Sequence, residues 1–152
     1  MRVKLVRTSL LGCILGLFLL PLALSRAAAG DLQFQVHLVW ATDDPKPPQG
    51  KDYKPVDSEI RTKIKALKWK NYFEVRHVDF SVPQSSSKKV PISDKCSIEV
   101  KDLGNSNVEV ALIGKGKEVA RVKQTLRKGE ILVPAGDAPN ETAWLVIVRR
   151  VQ

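Results

Sequence analysis

The chain has 152 residues, a net charge of +9 and two cysteines, Cys13 and Cys96. That length holds one domain, and with a single cysteine after residue 29 no disulfide framework can staple it. Four of the 25 basic residues and none of the 16 acidic ones lie in residues 1–29, so residues 30–152 carry only +5, too mild a balance to name nucleic acid as a partner.

The first segment sets Arg2, Lys4 and Arg7 before an apolar run from Leu10 to Leu24, closed by Ser25-Arg26-Ala27-Ala28-Ala29. A basic start, a short apolar middle and small residues at the end are the parts of a cleavable secretory signal peptide. Cleavage is expected after Ala29, with Ala27 as the alternative. Residues 30–152 are then a single β-rich domain, periplasmic or secreted. Gly12, Gly16 and Pro21 interrupt the run, which falls short of the roughly 20 apolar residues that span a bilayer. No transmembrane span is therefore expected in the mature chain. Leu10-Leu11-Gly12-Cys13 matches a bacterial lipid-attachment box. The long apolar stretch follows Cys13 instead of preceding it, so Cys13 reads as an ordinary signal-peptide residue.

From Asp31 to Ala41, Leu32, Phe34, Val36, Leu38 and Trp40 alternate with Gln33, Gln35, His37 and Val39, the period of a half-buried strand. Residues 42–55 contain four prolines and one glycine and read as a loop. Asp57 can cap a helix, and Ile60, Ile64 and Leu67 give it one apolar stripe over Ser58–Leu67. Strands follow over Trp69–Val75 and Val78–Val82, with a bulge or short turn near Arg76-His77. Val90-Pro91-Ile92 fits only a sheet edge, because proline donates no ladder hydrogen bond. Cys96–Lys101 and Val108–Ile113 flank a turn at residues 103–107, and Gly114-Lys115-Gly116 turns into Glu118–Leu126. Ile131–Val133 and Thr142–Val151 complete the set. The last of these is apolar on both faces from Ala143 to Val148, as a central strand is. The expected fold is mainly β: an antiparallel β-sandwich or flattened barrel of about eight strands with one short helix.

Few residues suggest chemistry. His37 and His77 lack a histidine partner at metal-ligand spacing, and one cysteine cannot complete a zinc site. No nucleophile elbow, zinc-protease motif or phosphate loop occurs, and no cofactor is expected. Asp43-Asp44 and Gly136-Asp137 are too few oxygens for a calcium loop. Asn140-Glu141-Thr142 fits the N-glycosylation pattern, discounted because the signal peptide has a bacterial look. Cys96 alternates with Ile98 and Val100 and reads as a core thiol.

Two surfaces carry functional readings. Lys117, Arg121 and Lys123 share one strand face and can contact an anionic surface; the plainer reading is a solvated strand protected from aggregation. Lys65, Lys68 and Lys70 interleave with Trp69, Tyr72 and Phe73. Rings flanked by cations can stack on sugars, whereas the plainer reading has these rings seating the helix while the lysines face water.

Leu38-Val39-Trp40, the helix running into Leu67–Phe73 and the closing Trp144-Leu145-Val146-Ile147 resemble small secreted bacterial β-domain proteins of unknown function. The resemblance implies a secreted β-domain and carries no functional residue across. The expected function is a non-enzymatic interaction or structural module of the bacterial envelope, its partner an envelope protein or an anionic polymer. The alternative is a carbohydrate-binding module using Trp69, Tyr72 or Tyr53. A small hydrolase is the third reading and would need His37 beside an Asp or Ser side chain.

Overall fold

The structure, a computed structural model, describes residues 30–134 and 143–152. Residues 1–29, read as a signal peptide, together with Gly136-Asp137 and Asn140-Glu141-Thr142, lie outside the described residues. The elements in chain order are β1 (Leu32–Thr42), β2 (Lys54–Pro55), α1 (Ser58–Lys63), β3 (Asn71–Val82), β4 (Ser87–Ser93), β5 (Cys96–Gly104), β6 (Asn107–Gly114), β7 (Lys117–Thr125), β8 (Ile131–Leu132) and β9 (Ala143–Arg150). They form two antiparallel sheets, ordered β2-β3-β1-β9-β8 and β4-β5-β6-β7. Both sheets are open, so the architecture is a sandwich and not the flattened barrel.

Alternation decides which residues meet between the sheets. Phe34, Val36 and Leu38 of β1 and Val146 and Val148 of β9 pack against Val90, Ile92, Ile98, Val100, Val108 and Val110 of the second sheet. Phe34 stacks on Phe80 with ring centroids 5.6 Å apart. Full burial of such a side chain stabilises the fold by about 1.5–3 kcal/mol.

The opposite face of the first sheet builds a second core. Val39 and Ala41 of β1, Tyr72 of β3 and Ala143, Leu145 and Ile147 of β9 lie under Ile60 and Ile64. β9 is therefore apolar on both faces because a sheet covers one and a helix the other. α1 is capped by Asp57, whose Oδ1 accepts from Ile60 N at 2.8 Å. It ends at Lys63, four residues short of the expected Leu67. Continued helix would stack Arg61, Lys65 and Lys68 on one face at like-charge spacing, which is unfavourable. The chain turns instead, Leu67 N donating to Ile64 O at 2.9 Å, and Leu67 still packs against the second core.

The irregularity expected near Arg76-His77 is a bulge within a single strand. Leu38 faces Arg76 while Val39 faces Glu74, leaving Val75 as the extra residue. β4, with Pro91, lies at a sheet edge as expected, and β7 forms the other edge. Turns between β5, β6 and β7 place Asn105 and Ser106 (φ +52° and +64°), then Lys115 and Gly116 (φ +50° and +76°), in the left-handed region. Two such residues in succession match the twist of a tight hairpin. No helix among the described residues is long and apolar enough to cross a membrane.

Candidate functional site

The cationic face of β7 is built on an edge strand whose neighbour supplies acids. Arg121 meets both Glu109 of β6 and Glu118, and Lys123 Nζ lies 2.9 Å from Glu109. Lys123 and then Arg121 hold the Glu109 carboxyl below its ordinary range. Arg121 does the same for Glu118. Both carboxylates raise the guanidinium in turn. Of the three cations expected on one face, Arg121 and Lys123 are thus neutralised within the sheet. A bulge at Val119, where Leu112 faces Ala120 but Ile113 faces Glu118, brings Glu118 to their face and turns Lys117 to the other, where it stands exposed.

Charge is distributed differently in residues 61–70, RTKIKALKWK. Five cations occur there with no acid. They account for the whole +5 of residues 30–152, so the remainder of that span is balanced. Local packing turns every cation outward: Arg61, Lys63, Lys65, Lys68 and Lys70 are exposed, while Ile64, Leu67 and Trp69 pack against the second core. The ends of the segment are drawn together by the Arg61 guanidinium, which donates to the Lys70 carbonyl. That guanidinium also lies 4.8 Å over the Tyr72 ring. Lys63 is 3.7 Å from Glu59. Lys65, Lys68 and Lys70 form no ion pair with a carboxylate among the described residues. Sequence reading named these lysines for their aromatic neighbours; a running charge count would have isolated them.

The three named rings do not form a sugar platform. Tyr72 is 3% exposed, and burial pushes its hydroxyl pKa up despite the nearby Arg61. Trp69 is half-buried against the second core, with Lys68 Nζ 4.8 Å over its ring. Tyr53 is half-buried in the loop before β2. Trp69 and Tyr72 seat the helix, as the plainer reading held. The exposed ring is another one. Trp40 and Trp144 sit directly opposite each other on β1 and β9, edge to face, with centroids 4.9 Å apart. They continue the inner face of the first sheet one step past Leu38 and Val146, outside the sandwich core. Trp144 is 43% exposed. Trp40 forms one wall of a groove of about 450 Å³ whose other walls include Asp44, Lys46, Pro47 and Gln49.

The histidines meet through the bulge. In a regular strand Glu74 and His77 would face opposite ways; the extra Val75 puts both on the face of His37. Glu74 then bridges them, its oxygens 2.6 Å from His37 Nδ1 and 3.0 Å from His77 Nδ1. His37 is 5% exposed, and its Nε2 is buried with no hydrogen-bond partner. The hydrolase reading asked for Asp or Ser beside His37, and the structure supplies Glu74. Among the described residues no group of three or more His, Cys, Asp or Glu side chains is arranged to hold a metal ion. Asp43 Oδ1 accepts from Lys70 N at 3.0 Å, and Asp44 N donates to Thr42 Oγ1 at 3.1 Å, so these neighbours shape a turn. Cys96 is half-buried against the sandwich core, and burial raises its thiol pKa, which lowers the thiolate fraction needed for reactivity.

The chain matches no protein-family model, and no curated protein or solved structure is significantly similar to it.

Proposed function

We propose that this chain is an exported, non-enzymatic binding module of the bacterial envelope that holds an anionic polymer through the turn of residues 61–70. The observation that carries the reading is the concentration of charge: five exposed cations in ten residues, against a balanced remainder of residues 30–152. Clustered like charge in one turn is unfavourable for the fold by itself, and a bound polyanion relieves it. Export is proposed from the basic, apolar and small-residue sequence of residues 1–29.

A polymer fits the turn better than a bilayer or a large protein surface. The large apolar side chains of the segment point into the second core, leaving nothing to insert among lipid chains. Among the described residues the exposed large apolar side chains are Leu103, Val119 and Trp144, on the separate strands β5, β7 and β9. A stable protein interface buries about 800 Å² on each partner around an apolar centre.

Titration calorimetry of the purified domain with alginate and with poly-γ-glutamate, repeated across a salt series, tests the proposal. Binding to at least one polymer at low salt is expected, weakening as salt rises because exposed charges are screened. Absence of heat with both polymers at low salt would overturn it.

A further inference from the structure

We infer that the polymer held by this chain is an acidic polysaccharide, with a sugar ring on the Trp40–Trp144 pair and its acid groups over the cations of residues 61–70. This rests on the anionic-polymer reading and adds the chemistry of the repeating unit.

The register of the first sheet aligns four ring-bearing residues across four strands. Pro55 lies opposite Phe73, Phe73 opposite Trp40, and Trp40 opposite Trp144. One end of this row is closed: Phe73 is buried, and Pro45, Pro55 and Arg61 share a hollow of about 280 Å³ with it. The other end is open at Trp144. Burying a large indole against a second sheet would stabilise the fold, yet this one stands outside both cores. An indole face takes up the C–H face of a pyranose as it does any flat apolar partner. The groove beside Trp40, at about 450 Å³, is in the size range of small-ligand sites. Its polar walls are a carboxylate (Asp44), an ammonium (Lys46) and an amide (Gln49). That set offers donors and acceptors to sugar hydroxyls.

The ring pair lies on the inner face of the first sheet and the cationic turn on the segment covering its opposite face, and the loop after β1 joins the two around the end of the sheet. The loop that forms the groove begins at Asp43, whose side chain accepts from Lys70 N at 3.0 Å and whose carbonyl accepts from Asn71 Nδ2 at 3.3 Å. Arg61, at the start of the cationic segment, lines the same hollow as Pro45 of the groove. A polymer with rings and acids along its length that bends around that end of the sheet engages both, gaining affinity over either contact alone.

The test measures binding of the parent chain, Trp144→Ala and Trp144→Phe to four probes: alginate, poly-γ-glutamate, dextran and oligothymidylate. Alginate and poly-γ-glutamate both carry carboxylates, and only the first has sugar rings. The parent is expected to bind alginate at least about tenfold more tightly than poly-γ-glutamate, the size of one ring-stacking contact. Trp144→Ala should remove that preference and leave the weaker poly-γ-glutamate binding unchanged. Trp144→Phe, which keeps a ring, should retain most of it and separates lost stacking from lost folding. Equal affinity for the two carboxylate polymers, indifferent to Trp144→Ala, overturns the sugar assignment while the anionic-polymer reading stands. No binding to any anionic probe overturns both. Dextran bound as tightly as alginate removes the acid from the ligand, and oligothymidylate bound more tightly than alginate reassigns the ring contact to a nucleobase.

Discussion

Asp102 holds two turns with one carboxylate. Its side chain, 5% exposed, accepts from Ser85 N at 2.8 Å and from Gly104 N at 2.9 Å, tying the loop before β4 to the end of β5. Asp102→Ala leaves two backbone donors without partners and is expected to lower stability by about 2 kcal/mol, read as a shift in the denaturant midpoint without a change in slope. The parity of Asp102 with Ile98 and Val100 was visible in the sequence and points it inward. Its partner at Ser85, across a change of strand, was not. Trp144 shows the same limit. Six apolar residues in a row promised burial on both faces, and Ala143, Leu145, Val146, Ile147 and Val148 are buried. Whether the ring at 144 is covered depends on where the facing sheet stops, which no local pattern encodes. Trp69 and Tyr72 were read beside their plainer alternative, as rings that seat the helix, and that is where they lie.

The hairpin of β6 and β7 depends on charge that the sequence left unpaired. Period two put Lys117, Arg121 and Lys123 on one face and Glu109 on the matching face of β6; the register joins Lys123 and Arg121 to Glu109, and a bulge at Val119 replaces Lys117 on that face with Glu118. The consequence is a pH dependence with a definite sign. Glu109 and Glu118 have lowered pKa values in the folded chain, through Lys123 and Arg121. The unfolded chain therefore takes up protons first, and the stabilisation is complete above the ordinary carboxylate value of 4.5. It is lost as pH falls through the lower folded value. Unfolding measured at stepped pH should show stability declining below that point, and Glu109→Gln should flatten the decline. A decline of the same slope in the variant would contradict this origin. The bulge at Val75 is a second device of this size. The phase change near Arg76-His77 was legible as an irregularity, but the meeting of Glu74 with both histidines was not, since one extra residue reverses which side chains share a face.

At the scale of the molecule, two open sheets form the frame, and one ten-residue turn carries the whole +5 of residues 30–152. The mainly β class, the single helix and the double covering of β9 followed from periodicity, whereas β2 lies in the proline-rich stretch read as a loop and the two strands expected over residues 69–82 are one, β3. The placement of a binding surface did not follow, because surface lysines look alike until their acids are known. The β7 cations lie beside Glu109 and Glu118, whereas Lys65 and Lys68 lie beside a helix end and a tryptophan. The most direct measurement compares alginate affinity of two charge reversals by titration calorimetry: Lys65→Glu with Lys68→Glu in the turn, and Arg121→Glu with Lys123→Glu on β7. The turn reversal is expected to weaken binding at least about tenfold, the loss of about 1.4 kcal/mol, with an unchanged melting temperature. The β7 reversal is expected to lower the melting temperature and leave affinity close to that of the parent. Affinity that survives reversal of the turn, or that falls only with reversal of β7, would contradict the assignment of the polymer to residues 61–70.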